Sequence, residues 1–236
     1  MTFSAIIDDI AEGQKQVVVY TAEDTDHDLA AQLLTRNVTV DSRRLPALEA
    51  DAFVVVREGD RFCGAVALSD LLAFVEPPVR RPDELDAVDP ALRAVYELLD
   101  ETVFVALTRR QLLATSRELE DRAWRTGRGQ LHAGFQSASA LAAQADLYAE
   151  LAATTDVEVH VYVAEDAATG RFDGTTVRVH TDPRPDVGRF WFLLFEDGTD
   201  GTQDCALVAE QTDEASYRGF WTYDPSLVAR ALDVVR

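Results

Sequence analysis

Apolar positions recur along the first part of the chain with changing period. Phe3 to Ala11 repeats as an amphipathic helix, and the continuous apolar run Val17 to Tyr20 reads as a buried strand. After the polar segment from Thr21 come a helix at Asp28–Leu34 and a short alternating strand at Asn37–Val40. Ala52–Val56 and Phe62–Leu68 form two strands joined by the turn Glu58-Gly59-Asp60, with Ser69 placed to cap a helix reaching Val75. This hairpin and helix superficially resemble half of a cystathionine-β-synthase module. Such modules work as pairs and no second copy is present, so no ligand is carried over. Pro77, Pro78, Pro82 and Pro90 interrupt a charged run that neither a continuous helix nor a central strand tolerates. The pattern therefore divides the chain into an α/β domain over 1–76, a linker over 77–90 and a second domain over 91–236.

The second domain opens on helix-start signals. Asp89-Pro90 begins a helix to Leu99, Val103–Leu107 makes a short buried strand, and Thr108 with Gln111 forms a capping box. In the helix that follows, Leu112, Leu113, Ser116, Leu119 and Ala123 share a face. Arg117, Glu118, Glu120, Asp121 and Arg122 cover the other faces, and Gly127 and Gly129 stop the helix. A second helix spans Ser139 to Ala153. The period then changes to two, over five strand candidates: Val157–Val163, Thr176–His180, Phe190–Phe195, Cys205–Glu210 and Tyr217–Thr222. Asp224-Pro225 starts a final helix to Val235. These elements predict an α/β (α+β) fold, with helices packed on a mainly antiparallel or mixed five-stranded sheet.

Composition changes the picture in one respect. With 42 Asp and Glu against 22 Lys and Arg, the net charge is -20, and Lys15 is the only lysine. A surface of strongly hydrated carboxylates lacking lysine stems suits molar salt, so the acidity describes solubility in a halophilic cytoplasm rather than a partner. At ~1 M salt the Debye length is ~3 Å, which removes most of the usual electrostatic argument against nucleic acid. No apolar run approaches the ~20 residues of a membrane span, and the first residues lack the pattern of a secretory leader. Cys63 and Cys205 stand in separate strands without metal-ligand spacing and read as two buried structural thiols.

The blocks TSRELEDRAWRTGRGQLHAGFQ (115–136), VEVHVYV, RFWFLLFEDG, CALVAEQ and GFWTYDPSLV resemble the DICT sensory domain, named for its association with diguanylate cyclases and two-component systems. The resemblance spans about residues 109–235. It implies an input domain in light-linked or other signalling. The output would be a kinase, cyclase or transcription regulator acting in trans. Bacterial relatives often carry histidine where this chain has Tyr223, so any role of that imidazole does not transfer.

Candidate chemistry is sparse. His132, Phe135 and Gln136 sit at a glycine-rich junction between helices, where an imidazole, a ring and an amide can meet a ligand; the simpler reading is a sharp turn allowed by Gly134, with Phe135 anchored in the core and Gln136 bonding exposed backbone. Trp191, Trp221, Phe220 and Tyr223 concentrate aromatic surface that lines a pocket or fills the core. Asp224 is a helix cap. His160 and His180 fall on neighbouring strands with Tyr162 facing as His160 does, which by itself is too few ligands for a metal; His27 lies in an acidic loop. No phosphate loop, nucleophile elbow or HExxH helix is present, so a non-enzyme is expected, and no cofactor is specified. The candidate ligand-binding set is His132, Phe135, Gln136, Trp191, Trp221 and Tyr223. The leading reading is a cytoplasmic sensor of a small ligand or protein partner, with homodimerisation left open. The alternatives are a DNA-binding regulator using the arginine-rich helix 109–128, whose acidic residues interrupt its basic face, and a small-molecule enzyme using His132.

Overall fold

The computed structural model describes residues 1–12, 15–22, 38–45, 52–75, 95, 98, 100, 103–163, 172–181, 185–213 and 216–236. The helix expected at Asp28–Leu34, the linker 77–90, the helix start at Asp89-Pro90 and His27 lie outside them. The remainder is an α+β protein with two mixed sheets.

The smaller sheet has the order β2-β1-β3-β4, formed by β1 (Lys15–Thr21), β2 (Val38–Arg44), β3 (Phe53–Glu58) and β4 (Arg61–Ala67). Its centre is β1, whose KQVVVYT run buries Val17, Val18 and Val19 on both faces. Gly59 takes a positive φ of 56° in the expected hairpin turn. The following helix, α2 (Leu68–Val75), begins at Leu68, so Ser69 lies inside its first turn and not at its cap.

The larger sheet has seven strands where five were expected, in the order β5-β11-β10-β9-β6-β7-β8. These are β5 (Val103–Thr108), β6 (Arg128–Phe135), β7 (Asp156–Val163), β8 (Arg178–His180), β9 (Phe190–Glu196), β10 (Cys205–Gln211) and β11 (Ser216–Thr222). Pairing is antiparallel from β5 to β6 and parallel from β6 through β7 to β8. The decisive difference is β6. The segment expected as a glycine-rich junction is a strand inside the sheet, with Leu131, Ala133 and Phe135 on one face and His132 and Gly134 on the other. Gly134 is not at a turn: a Cβ there would meet the Phe192 ring at 2.0 Å, so the glycine makes room for a neighbouring aromatic.

Each face of this sheet carries its own helices. On one, α1 (Phe3–Ala11) and α7 (Pro225–Val235) bury Phe3, Ile6, Ile7, Val228 and Leu232 against Phe190, Phe192, Leu194, Val208 and Phe220. The first helix of the chain thus packs on the larger sheet, and its ion pairs Asp8–Arg218 and Asp9–Arg230 lie at the exposed edge. Burying each large apolar side chain contributes ~1.5–3 kcal/mol, against ~0.2–1 for an exposed ion pair, so the apolar seam holds α1 in place. The cap of α7 is as expected: Asp224 accepts from the N–H groups of Ser226 and Leu227 at 2.6 and 3.3 Å.

The opposite face carries α3 (Arg109–Thr126) and α5 (Ala145–Thr154). The Thr108–Gln111 capping box starts α3, and Gly127, at φ 68°, ends it in the left-handed region one residue before β6. Along the helix body Arg117, Glu118, Glu120, Asp121 and Arg122, on the faces away from the Leu112–Leu119 stripe, are buried as well. Part of this charge is compensated along the helix: Arg117 pairs with Glu120, Arg125 pairs with Asp121 and stands 4.0 Å from Glu118, and the Arg122 guanidinium lies over the Tyr223 ring. The helix expected over Ser139–Ala153 is two, α4 (Ala138–Ala142) and α5, parted at Gln144, whose backbone is non-helical (φ -120°, ψ -4°), and a short α6 (Pro185–Gly188) precedes β9. Cys205 is buried, which pushes its thiol up to about 12, whereas Cys63 is only half-buried.

Candidate functional site

A cavity of about 530 Å³ opens on the α3 side of the larger sheet. Three local structures converge on it. The capped start of α3 brings Arg109 and Leu113. The end of β6 delivers Phe135, Gln136 and Ser137, and Ser137 caps α4 by accepting from the N–H of Ala140 at 3.2 Å, which places Ser139 and Ala140 on the wall. The sheet supplies Trp191, Gln211 and Tyr217, because Gln211 pairs with Tyr217 and Trp191 pairs with Ala209 one alternation away.

The aromatic wall is held edge-on. Trp191 and Tyr217 stand 6.1 Å apart at 89°, and Phe135 meets Tyr148 beneath at 5.7 Å and 76°. Polar groups are anchored at one end. Gln136 donates through Nε2 to the Arg189 carbonyl at 2.6 Å, and Gln211 donates through Nε2 to the Asp213 carbonyl at 2.9 Å. Gln144 accepts from Arg117 through Oε1. Among the described residues the other polar atom of each amide makes no hydrogen bond: two carbonyl oxygens and one NH₂ group.

Behind Gln144 the polar chain continues into the core. Arg117 also pairs with Glu120, and the Tyr148 hydroxyl donates to Glu120 Oε1 at 2.6 Å. Burial raises the Glu120 carboxyl above its ordinary range, opposed by the Arg117 charge, and burial likewise raises the Tyr148 phenol. The cavity wall is thus connected to buried charge in α3 through one side chain.

Of the six candidate residues, Phe135, Gln136 and Trp191 meet in this cavity. Trp221 is fully buried and stacks on Phe104 at 5.8 Å. Tyr223 lies past the end of β11, with the Arg122 guanidinium 4.3 Å from its ring centre. His132 points to the other face, where its Nδ1 lies 2.9 Å from the Tyr162 hydroxyl and its ring stacks on His160 at 4.5 Å. Burial lowers the His132 imidazole to about 3, helped by His160, so it stays neutral. His160 and His180 are adjacent as the strand alternation implied, 3.2 Å between Nδ1 and Nε2, and burial lowers both. Among the described residues no group of three or more His, Cys, Asp or Glu side chains is arranged to hold a metal ion. Arg117 and Arg122 are buried, so α3 does not present them as a surface for DNA.

Sequence reasoning missed Arg109, Gln144, Gln211, Tyr217 and the Arg117–Glu120–Tyr148 chain. Tyr217 was accessible, since strand alternation puts it on the Trp221 side of β11. Gln144 carried no signal inside an alanine-rich helical pattern.

A family model described as a sensory domain in diguanylate cyclases and two-component systems matches residues 91–212, which takes in the whole cavity lining except Tyr217. The block from Tyr223 to Pro225 falls outside that match. No curated protein matches the chain. Among solved structures, polyphosphate kinase from Porphyromonas gingivalis aligns at 12% identity with a TM-score of 0.33, over 99% of this chain and 48% of that one. The chain spans about half of that protein's length, and a likeness this weak carries no argument.

Proposed function

The chain belongs to the DICT family of sensory domains, and from that premise we propose that it is a sensor which takes a small ligand into the cavity between α3, α4 and the larger sheet. Occupancy is passed to a separate output protein, a kinase, cyclase or transcription regulator acting in trans, and the sensor itself performs no chemical step. The acidic surface suits a cytoplasm at high salt. No helix among the described residues is long and apolar enough to cross a membrane.

The observation that supports this reading is the continuity from cavity wall to buried charge. A ligand that engages the Gln144 NH₂ group acts on the residue that also holds Arg117, and Arg117 is paired with Glu120 inside the core. Buried ion pairs have steep geometric requirements, which makes such a chain a suitable two-state element. The volume lies within the ~300–1,000 Å³ usual for small-molecule sites.

The test is a thermal-shift screen of metabolite fractions, in molar KCl, against the wild-type chain and against Ala140→Trp, which puts an indole ring into the cavity wall to obstruct the space. A ligand at about 100 times its Kd adds ~2.7 kcal/mol, a shift of several degrees in a domain of this size. The expected result is a fraction that raises the wild-type Tm and leaves that of the folded variant unchanged. Shifts equal in both proteins, or none in either, contradict the proposal.

A further inference from the structure

The cavity lining is selective in its chemistry. Although the chain has 42 acidic residues, no carboxylate is among the described residues that line this space, and one guanidinium, that of exposed Arg109, is. The interior wall is Phe135, Trp191 and Tyr217, with the Trp191 and Tyr217 rings perpendicular, so a flat guest lying on one ring meets the edge of the other. Around these rings stand the three anchored amides, whose two other carbonyl oxygens and one other NH₂ group bond no described residue. A purely apolar ligand would strand those polar atoms, and an aliphatic acid would leave the aromatic wall unused.

Resting on the reading of this cavity as the sensory site, we infer that its ligand is a planar heteroaromatic acid: a ring system with hydrogen-bond donors and acceptors on its edge and one anionic substituent. The rings hold the plane of the guest, the amides read its edge, and Arg109 takes the anion. The anion has two plausible sources in chemistry, a phosphate ester or a ring carboxylate, and both satisfy Arg109.

Matched probes separate the parts of the claim. Guanosine 5′-monophosphate and pterin-6-carboxylate are titrated against tryptophan fluorescence in molar KCl, beside neutral guanosine, neutral pterin and inorganic phosphate alone. At least one of the two acids is expected to quench the emission in the wild-type chain and to bind about tenfold more tightly than its neutral counterpart, as expected for a charge-assisted hydrogen bond. Which acid binds identifies the source of the anion. Arg109→Gln should abolish that preference while leaving neutral-ring binding intact, and Trp191→Phe should remove the quenching but not the binding. If neutral rings bind as tightly as the acids, or phosphate alone competes fully, the proposed ligand class is wrong while a cavity sensor still stands. If neither acid binds, the class is also overturned, and the thermal-shift comparison with Ala140→Trp independently decides whether the cavity is a sensory site.

Discussion

The two faces of the larger sheet are made by the same strands and differ in how they treat polar groups. Under α1 and α7 the contacts are Phe, Ile, Leu and Val, closely packed, as at Gly134, where a single Cβ would collide with Phe192. The polar exceptions on that side, His132, His160, His180 and Tyr162, gather towards β8, where His132 Nδ1 meets Tyr162, His160 meets His180 and the rings stack, while buried His132 Nε2 has no partner among the described residues. Under α3 and α5 the core instead admits Arg117, Glu118, Glu120, Asp121 and Arg122, and the sheet leaves a cavity at the end of the helix. Apolar packing has one good arrangement, whereas a buried charge network can exchange partners, so the face that carries charge is the one suited to respond.

That contrast can be broken by substitution. Phe192→Ala on the closed face should cost about 4 kcal/mol, measured by denaturant unfolding, and leave ligand affinity of the folded fraction unchanged. A loss of affinity with intact stability would mean that the faces are not separate. Glu120→Ala should cost about 3 kcal/mol, because it leaves Arg117 buried without its counter-charge, and should also weaken binding through Gln144. An unchanged unfolding midpoint would remove Glu120 from the account.

The histidine group gives a pH test with a definite sign. The unfolded chain takes up protons at imidazole as pH falls through about 6.5, whereas folded His132 resists until about 3. Stability attributable to His132 is therefore complete above 6.5 and is lost as pH falls towards 3. His132→Leu should lower stability at neutral pH by about 1 kcal/mol, through the lost Tyr162 contact, yet show a shallower fall of Tm with acid. The slope should be reduced and not abolished, since burial lowers His160 and His180 as well. Equal acid slopes in both proteins would refute this assignment. Smallest of all, Arg189→Ala should change stability by less than ~1 kcal/mol, because its pair with Glu210 is exposed and Gln136 bonds only the Arg189 carbonyl.

How far the sequence could be read follows from the physics of each element. The capping box at Thr108 and the Asp224-Pro225 start were legible because caps are local: a side chain serves a backbone N–H two or three residues away. Strand alternation likewise brought His160, His180 and Tyr162 together before any coordinate. The β6 strand was not legible, because Gly127, Gly129 and Gly134 read as turn signals, and Gly134 is dictated by the Phe192 ring across the sheet. The burial of Glu120 was hidden for a similar reason: its partners are Arg117, one turn away, and Tyr148, on another helix. Of the six residues named from the sequence, three, Phe135, Gln136 and Trp191, line the cavity. Trp221 looked equivalent to Trp191, but only register and the helices above the sheet decide that one lines the cavity and the other fills the core.

These two tryptophans allow the most direct test of the central claim, that the α3 face holds an open sensory cavity beside a closed core. The indole N–H resonances of Trp124, Trp191 and Trp221 are followed by NMR as the ligand fraction from the thermal-shift screen is titrated into the labelled chain. The account predicts that the Trp191 signal shifts and saturates while that of Trp221 stays in place. A saturable shift at Trp221 with Trp191 unmoved would contradict it.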